Sequence, residues 1–264
     1  MRAYASSMSE SLSDTLPTGG LAVVLGASGT IGGAHVRIDR SMDVAIQKEA
    51  EALQRGLPDD ARFADVVELS RSGDPSVDLT DEASLAEAAA RIKERGLDVR
   101  LILVASGFLH DEQQGPEKTW RHLDPDKLAR SFALNAIGPA LALKHLLPLL
   151  PRKGRVIVGA LSARAGSLSE NTLGGWYGYR ASKAALNQIV RSAAAELGRK
   201  NPQAVCVTLH PGHVESPLSA PFGAGGNETL TPDASAGRLL GVLDALSPEQ
   251  SGGFFDVSAS AIPF

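Results

Sequence analysis

Short apolar runs recur along the chain and are separated by longer stretches with helical periodicity. The runs lie at residues 21–25, 66–69, 100–104, 155–158, 204–209 and 253–257. Because they are almost continuously apolar, they are typical of strands buried on both faces of a parallel sheet. Between them, residues 81–94, 126–150 and 179–200 carry apolar side chains at helical spacing. This alternation predicts an α/β fold built on one doubly wound parallel sheet, with helices on both faces.

Turn and capping residues suggest where these elements begin and end. Thr80 is the predicted N-cap of the helix at 81–94, which stops before Gly96. Residues 1–18 are predicted to be a flexible N-terminal tail, and residues 19–264 a single domain. The stretch from Gly33 to Asp65 is longer than one helix and two loops require. We therefore expect an insertion within 34–62, with a second helix around 43–55.

Composition and charge narrow the class of protein. The chain of 264 residues has 26 basic and 30 acidic side chains, a balance that argues against a nucleic-acid-binding surface. Its one cysteine, Cys206, lies in an apolar run and is expected to be a buried, inert thiol. The histidines lack metal-site spacing, so no metal site is predicted. The absence of a long uninterrupted apolar stretch and of an apolar leader favours a cytoplasmic protein without a membrane partner.

A glycine-rich turn follows the first predicted strand. Residues 26–33 read GASGTIGG and come immediately before a predicted helix. Such a turn lets the backbone approach a pyrophosphate, which the amino end of the helix then binds; a tight structural turn is the alternative. The candidate cofactor-binding residues here are Gly26, Ser28, Gly29, Thr30, Ile31 and Gly32. With its flanking elements, the turn is typical of a Rossmann-like domain.

Tyr179 and Lys183 form the strongest candidate for catalytic chemistry. They are four residues apart at the start of a predicted helix, so they share one helix face. An unperturbed tyrosine has a pKa near 10, and a nearby cation lowers it. The phenol can then donate or accept a proton near neutral pH, which predicts that Tyr179 is a general acid or base.

These motifs together resemble the short-chain dehydrogenase/reductase family. Gly26 and Gly32 match the first and last glycines of the family's turn, whereas Thr30 occupies the place of the middle glycine. The run at 173–187, which includes Tyr179 and Lys183, is similar to the C-factor or sniffer-like carbonyl reductase branch. The resemblance extends over about 20–264, apart from the segment 34–62.

The resemblance implies where a nicotinamide cofactor would bind. Ser70 stands where the family's NAD users carry aspartate, and the following Arg71 would pair with a 2'-phosphate. NADP(H) is therefore favoured over NAD(H), with a surface arginine as the alternative. Further cofactor-binding residues implied in this way are Asp78, Leu79, Ser106, Gly107, Lys183, Pro211, Gly212, Val214 and Ser216.

The resemblance also implies two further catalytic residues. Asn135 matches the helix asparagine that holds a water relaying protons through Lys183. Ala163 occupies the usual position of the catalytic serine, and Ser162 precedes it. The stretch up to Tyr179 is longer than usual, so Ser162 and Ser167 are both candidates for the hydroxyl. Losing an oxyanion donor can cost about 10²–10³ in rate.

We therefore expect an NADP(H)-dependent oxidoreductase of carbonyl reductase type that transfers hydride between the nicotinamide and a carbonyl or alcohol substrate, with Tyr179 as acid or base. The alternative is a dinucleotide-binding signalling or sensing protein with little catalysis, which the alanine at position 163 favours.

Residues 217–231 are rich in Gly, Pro and Ser and resemble a substrate lid. The family resemblance further implies a homodimer or homotetramer.

Overall fold

A computed structural model describes residues 16–26, 52, 63–111, 114–215 and 228–264. All six predicted strands are present and form one parallel sheet in the order β2-β1-β3-β4-β5-β8. The strands are β1 (Gly20–Gly26), β2 (Phe63–Leu69), β3 (Val99–Ala105), β4 (Val156–Leu161), β5 (Ala204–His210), β6 (His213–Val214), β7 (Thr229–Leu230) and β8 (Phe254–Asp256). The short strands β6 and β7 pair with each other outside this sheet. The predicted α/β class and parallel sheet are confirmed.

Both faces of the sheet are covered, which explains why its strands are apolar throughout. In β1, Val23 and Leu25 face one core cluster, whereas Ala22 and Val24 face the other. The helices are α1 (Glu82–Glu94), α2 (Pro125–Phe132), α3 (Gly138–Leu146), α4 (Tyr177–Lys200) and α5 (Pro232–Ala245). Side chains of α1, α3 and α4 contribute to the first cluster and those of α5 to the second. Burial on both faces makes the central strands the most protected part of the domain.

Helix boundaries differ from the prediction most clearly at the cap of α1 and within the segment 126–150. Asp81, rather than Thr80, is the N-cap of α1, because its carboxylate accepts a hydrogen bond from the amide of Ala83. The Thr80 hydroxyl instead donates to Asp78, 2.7 Å away. The predicted helix at 126–150 is divided into α2, a π-helical turn (Ala133–Ile137), α3 and a 3-10 turn (Leu147–Leu149).

The helical segment 125–149 is, within the described ranges, the one segment long and apolar enough to cross a membrane by length and hydropathy alone. Its side chains Ala142, Leu143 and Leu146 are buried in the core cluster against the sheet. Packing of this kind is expected of a core helix in an α/β domain.

Four described residues belong to the predicted tail and insertion, namely 16–18 and Ala52. Leu16 and Ala52 are both buried in the cluster that α5 covers, and Ala52 is helical. The remainder of the tail and almost all of the segment 34–62 lie outside the described residues. The Cys206 thiol is buried in β5, as predicted, and burial raises its pKa to about 12. Such a thiol is a poor nucleophile near neutral pH.

Candidate active site

The strand order reverses direction between β1 and β3, and this creates a crevice at the carboxyl edge of the sheet. The chain runs outward from β1 to β2, then returns across β1 to β3 and continues to β4 and β5. Gly26 ends β1 opposite Ala105 of β3, and Ser106 and Gly107 follow directly. Ligands of open parallel sheets bind at such a switch point. The predicted residues from β1 and β3 therefore meet at one location.

Helix α4 brings Lys183 to the same edge. The Nζ atom of Lys183 donates to the carbonyl of Ser106 at 3.3 Å and to that of Leu161 at 2.9 Å. The side chain is 2% exposed, and Nζ lies 6.0 Å from the centre of the Tyr179 ring. Lys183 thus joins the ends of β3 and β4 and places a cation beside the predicted acid–base residue.

The start of α4 has an unusual conformation immediately before Tyr179. Trp176 has a left-handed backbone with φ of 52° and provides no side-chain cap; its ring lies edge-on to that of Tyr179, 6.2 Å away. Glu117 supplies the hydrogen bonds instead. Its carbonyl accepts from the Trp176 amide at 2.5 Å, and its carboxylate accepts from the Gly178 amide at 3.1 Å.

Glu117 is a residue of this site that the sequence motifs do not predict. It lies in the connection between β3 and α2, 61 residues before Gly178. A lone glutamate in a loop has no periodicity or motif to mark it. Its position after Pro116 is the one local signal, and a proline is common in loops of many kinds.

The loop after β4 passes directly over α4 at Gly166. A Cβ atom there would lie 2.9 Å from the carbonyl carbon and from the Cβ of Lys183, so only glycine permits this approach. Arg180 fastens the same loop, since its guanidinium donates to the carbonyls of Ala165 and Gly175. These contacts hold the residues between β4 and α4 against the helix that carries Lys183.

Asn135 is fully buried in the π-helical turn. Its side chain accepts from the Phe108 amide at 2.6 Å and donates to the Phe108 carbonyl at 2.8 Å. It also donates to the Ser182 hydroxyl at 3.0 Å, which ties the segment after β3 to α4. Both amide hydrogens are thereby engaged in protein contacts. The predicted role of Asn135 in holding a relay water stays a prediction.

The two candidate serines have different surroundings. The Ser162 hydroxyl is buried at the end of β4 and has no hydrogen-bond partner among the described residues. The Ser167 hydroxyl donates to the Pro263 carbonyl at 2.5 Å and accepts from the Glu170 amide. Ala163 offers no hydroxyl. Ser162 is therefore the serine whose hydroxyl is left for a ligand.

The predicted adenosine-binding residues lie at the opposite side of the crevice. Ser70 is buried at the end of β2, and Arg71 follows at the surface, partly exposed. The Asp78 carboxylate accepts from the amide and hydroxyl of Thr80, at 2.8 and 2.7 Å. Leu79 packs against the core cluster and lies close to Gly138, the first residue of α3. The ends of β2, β1 and β3 are adjacent in the sheet, which brings these positions to one side of the crevice.

The residues after β5 are held by a second, two-stranded sheet. Gly212 has φ of 80°, and Val214 pairs with Leu230 as β6 joins β7. The Pro211 carbonyl accepts from the Ser235 hydroxyl of α5 at 2.8 Å. Val214, which precedes the predicted lid at 217–231, is therefore paired with Leu230 near the end of the lid, whereas lid residues 217–227 lie outside the described part of the chain. Predicted cofactor-binding residues outside the described part of the chain are Ser28, Gly29, Thr30, Ile31, Gly32 and Ser216.

His210, at the end of β5, adds an electrostatic feature beside this site. Its Nδ1 atom is buried and lacks a partner among the described residues. The pKa of His210 is lowered to about 4, chiefly by burial; the charges of Arg164 and His213 also lower it, and Asp256 opposes them. The ring is therefore neutral near physiological pH.

Two buried hydroxyls show that the site suits a polar cofactor. Ser106 and Ser162 directly follow the adjacent strands β3 and β4. Neither hydroxyl has a hydrogen-bond partner among the described residues. Buried polar groups are usually hydrogen-bonded, so groups of this kind at a switch-point crevice fit a ligand with amide and ribose oxygens. The described residues thus fit a nicotinamide dinucleotide.

The parallel sheet and its switch-point crevice are those of a Rossmann-like protein. Residues 34–242 match the family model described as enoyl-(acyl carrier protein) reductase. The chain belongs to the short-chain dehydrogenase/reductase family. The protein is thus a short-chain NAD(P)-dependent oxidoreductase by class.

Individual relatives agree with this membership. The 1-hydroxy-2-glutathionyl-2-methyl-3-butene dehydrogenase of Rhodococcus sp. (strain AD45) is 32% identical over 191 residues, which cover 72% of this chain and 80% of the relative. The C-signal protein of Myxococcus xanthus is 40% identical over 143 residues, or 54% and 81% of the two chains. The NADPH-bound carbonyl reductase from chicken fatty liver has the same fold, with a TM-score of 0.71, 22% identity and coverage of 94% and 100%. The predicted C-factor-like resemblance is confirmed.

Proposed function

We propose that this protein is an NADP(H)-dependent carbonyl reductase or alcohol dehydrogenase in which Tyr179 is the general acid or base. The observation that supports this most directly is the placement of Lys183. Its ammonium is buried, bonded to the ends of β3 and β4, and 6.0 Å from the Tyr179 ring. A fixed cation stabilises a phenolate and so suits the phenol to proton transfer.

Four residues of the chain have separate roles in the proposed reaction. When bound, the nicotinamide ring supplies or accepts the hydride at the substrate carbon. In the reductive direction, Tyr179 donates its phenolic proton to the substrate oxygen, which completes the alcohol. Lys183 stabilises the phenolate that remains and bonds the cofactor ribose, and Asn135 supports return of the proton through a water. The Ser162 hydroxyl donates to the substrate oxygen as negative charge develops there.

NADP(H) is the proposed cofactor rather than NAD(H). Ser70 and Arg71 follow β2 directly, so the chain has a hydroxyl and a guanidinium where an aspartate would select NAD. A guanidinium can form paired hydrogen bonds with a phosphate dianion, which an aspartate would repel. The chicken reductase of the same fold is an NADPH-bound protein.

The decisive experiment compares the wild-type protein with Tyr179→Phe on a panel of aldehydes, ketones, quinones and dicarbonyls, by following NADPH consumption. We expect turnover in the wild type and loss of turnover in the variant, with NADPH affinity within about 3-fold because the phenol is not needed for binding. Unchanged turnover in Tyr179→Phe would contradict the assignment. Tight NADPH binding without turnover by the wild type would instead support a sensing protein, which the alanine at position 163 would favour.

We also propose that the protein is a cytoplasmic homodimer or homotetramer. Helices α3 and α4 border an open groove of about 420 Å³ on the molecular surface, with an apolar floor that includes Leu143, Leu147 and Ile189. A second copy of the chain could cover this groove through a symmetric contact. Light scattering coupled to size-exclusion chromatography tests the proposal, and a monomer at micromolar concentration would contradict it.

A further inference from the structure

We propose that Glu117 is a positioning residue for the catalytic helix: its carboxylate and its carbonyl together fix the start of α4 and therefore the location of Tyr179. This inference rests on the proposed function, since it concerns the geometry of the proposed acid–base residue. Glu117 is not part of the Tyr179–Lys183 motif, and it reaches the helix from the connection after β3.

The hydrogen bonds show that Glu117 replaces the missing cap of α4. The first amides of a helix lack partners within the helix, and a polar side chain at the N-cap normally binds them. Trp176, at the N-cap of α4, offers no such side chain. The Glu117 carboxylate accepts from the Gly178 amide at 3.1 Å, and the Glu117 carbonyl accepts from the Trp176 amide.

The surroundings of the carboxylate make this contact specific. Glu117 is 5% exposed, and its Oε1 atom has no hydrogen-bond partner among the described residues. A carboxylate withdrawn from water is costly unless nearby dipoles stabilise it, and the amino end of α4 provides such dipoles. A Cβ atom at position 178 would lie 2.9 Å from Oε1 and 3.0 Å from the Ser131 hydroxyl. Glycine at 178 therefore leaves the room that the carboxylate needs.

The consequence for catalysis follows from the short distance along the chain. Tyr179 comes directly after Gly178, and the Trp176 ring packs edge-on against the Tyr179 ring. Trp176 is held in a left-handed conformation that a bulky residue rarely adopts, so external contacts must maintain it. Loss of the Glu117 carboxylate would leave the Gly178 amide without this partner, loosen the first turn of α4 and thereby shift Trp176 and the phenol. A displacement of about 1 Å at a reacting group can lower the rate by roughly 10²-fold.

Steady-state kinetics of three variants test the proposal, with carbonyl substrate and NADPH. We expect Glu117→Ala to lower kcat by about 10-fold to 100-fold, with little change in NADPH affinity. Glu117→Gln retains an acceptor oxygen for the Gly178 amide and should recover kcat to within about 3-fold of wild type. In Gly178→Ala, the new methyl group displaces the Glu117 carboxylate, so this variant should reproduce the loss of kcat in Glu117→Ala. Helix propensity alone would predict no such loss, because alanine favours helices more than glycine does.

Asp124 provides a matched control. Its carboxylate caps α2 by accepting from the amides of Asp126 and Lys127, both at 3.0 Å. Asp124→Ala therefore removes the cap of a helix that does not carry Tyr179 and should leave kcat within about 3-fold of wild type. An equal loss of kcat in Asp124→Ala and Glu117→Ala would overturn the proposal, as would a Glu117→Gln variant as impaired as Glu117→Ala.

A structural measurement separates this inference from the proposed function. In a Trp120→Phe background, Trp176 is the remaining tryptophan and reports on the start of α4. Glu117→Ala should raise the acrylamide quenching constant about 2-fold, and neither Glu117→Gln nor Asp124→Ala should do so. If wild type shows no turnover, the proposed function fails, and the quenching comparison alone decides the role of Glu117. Unchanged quenching in Glu117→Ala would overturn that role even in an active enzyme.

Discussion

At the scale of single residues, the candidate active site is built from polar groups that main-chain atoms hold in place. Lys183 is bonded to two strand-end carbonyls, and Asn135 to both the amide and the carbonyl of Phe108. Contacts with the main chain position a side chain more firmly than contacts between mobile side chains, because strands and helices fix the partner atoms. The chemistry proposed for Tyr179 therefore depends on neighbours that main-chain contacts hold in place.

Substitution of the two candidate serines distinguishes their roles. We expect Ser162→Ala to lower kcat by about 10²-fold, because it removes a buried hydroxyl that lacks a protein partner. Ser167→Ala should instead lower stability by about 1 kcal/mol through loss of its bond to Pro263, with a much smaller effect on kcat. Steady-state kinetics and urea unfolding measure the two effects. A larger rate loss in Ser167→Ala would reverse the assignment.

Cofactor selection provides a second test at this scale. Arg71→Ala should raise the KM for NADPH by about 10-fold or more and leave that for NADH nearly unchanged, because only NADPH carries the 2'-phosphate. Arg152→Ala is a suitable control, since Arg152 is an exposed arginine before β4, at the opposite edge of the sheet. Parallel increases in both KM values would indicate that Arg71 does not recognise the phosphate.

At the scale of elements, the residues between β4 and α4 decide how the catalytic helix meets the sheet. Because Gly166 has no side chain, this loop can contact the main chain of Lys183. The long helix expected at 126–150 is likewise interrupted by the π-helical turn that holds Asn135. Apolar periodicity predicts neither feature, because both arise from contacts between elements that are distant in the chain.

Two glycine-to-alanine variants separate this close approach from helix propensity. Gly166→Ala should destabilise the fold by about 1–3 kcal/mol and lower kcat, because the new Cβ would lie 2.9 Å from the main chain at Lys183. Gly198→Ala, in α4 with no atom close to a new Cβ, should stabilise the protein by about 0.5–1 kcal/mol. Urea unfolding measures both values. A neutral Gly166→Ala would show that the loop can move aside.

At the scale of the whole molecule, burial on both faces of the sheet brings distant segments to one edge. The loops after β2, β3, β4 and β5 begin at that edge, although their residues span more than half of the chain. His210 is part of this assembly, since its pKa depends on burial and on Arg164, His213 and Asp256 from separate parts of the chain. The stability of the domain is therefore linked to pH through a residue beside the site.

Unfolding at several pH values tests this link. The pKa of His210 is about 4 in the folded protein, against an ordinary value of 6.5. Between these values the unfolded chain binds more protons, so the stabilising contribution is complete above pH 6.5 and is lost as the pH falls towards 4. His210→Gln should therefore flatten the decline in unfolding free energy in this range, whereas the exposed His122→Gln should not. Identical pH profiles for wild type and His210→Gln would contradict the prediction.

The sequence by itself determined the order of the six sheet strands, the parallel sheet and the Tyr179–Lys183 pair, because apolar periodicity and i, i+4 spacing are local properties. Only the tertiary structure distinguished Ser162 from Ser167, replaced Thr80 by Asp81 as a cap, and brought Glu117 to Gly178. Each of these depends on which hydrogen-bond partners are in reach once the chain is folded. Partner choice at the ends of strands and helices is a three-dimensional property, and spacing along the chain does not encode it.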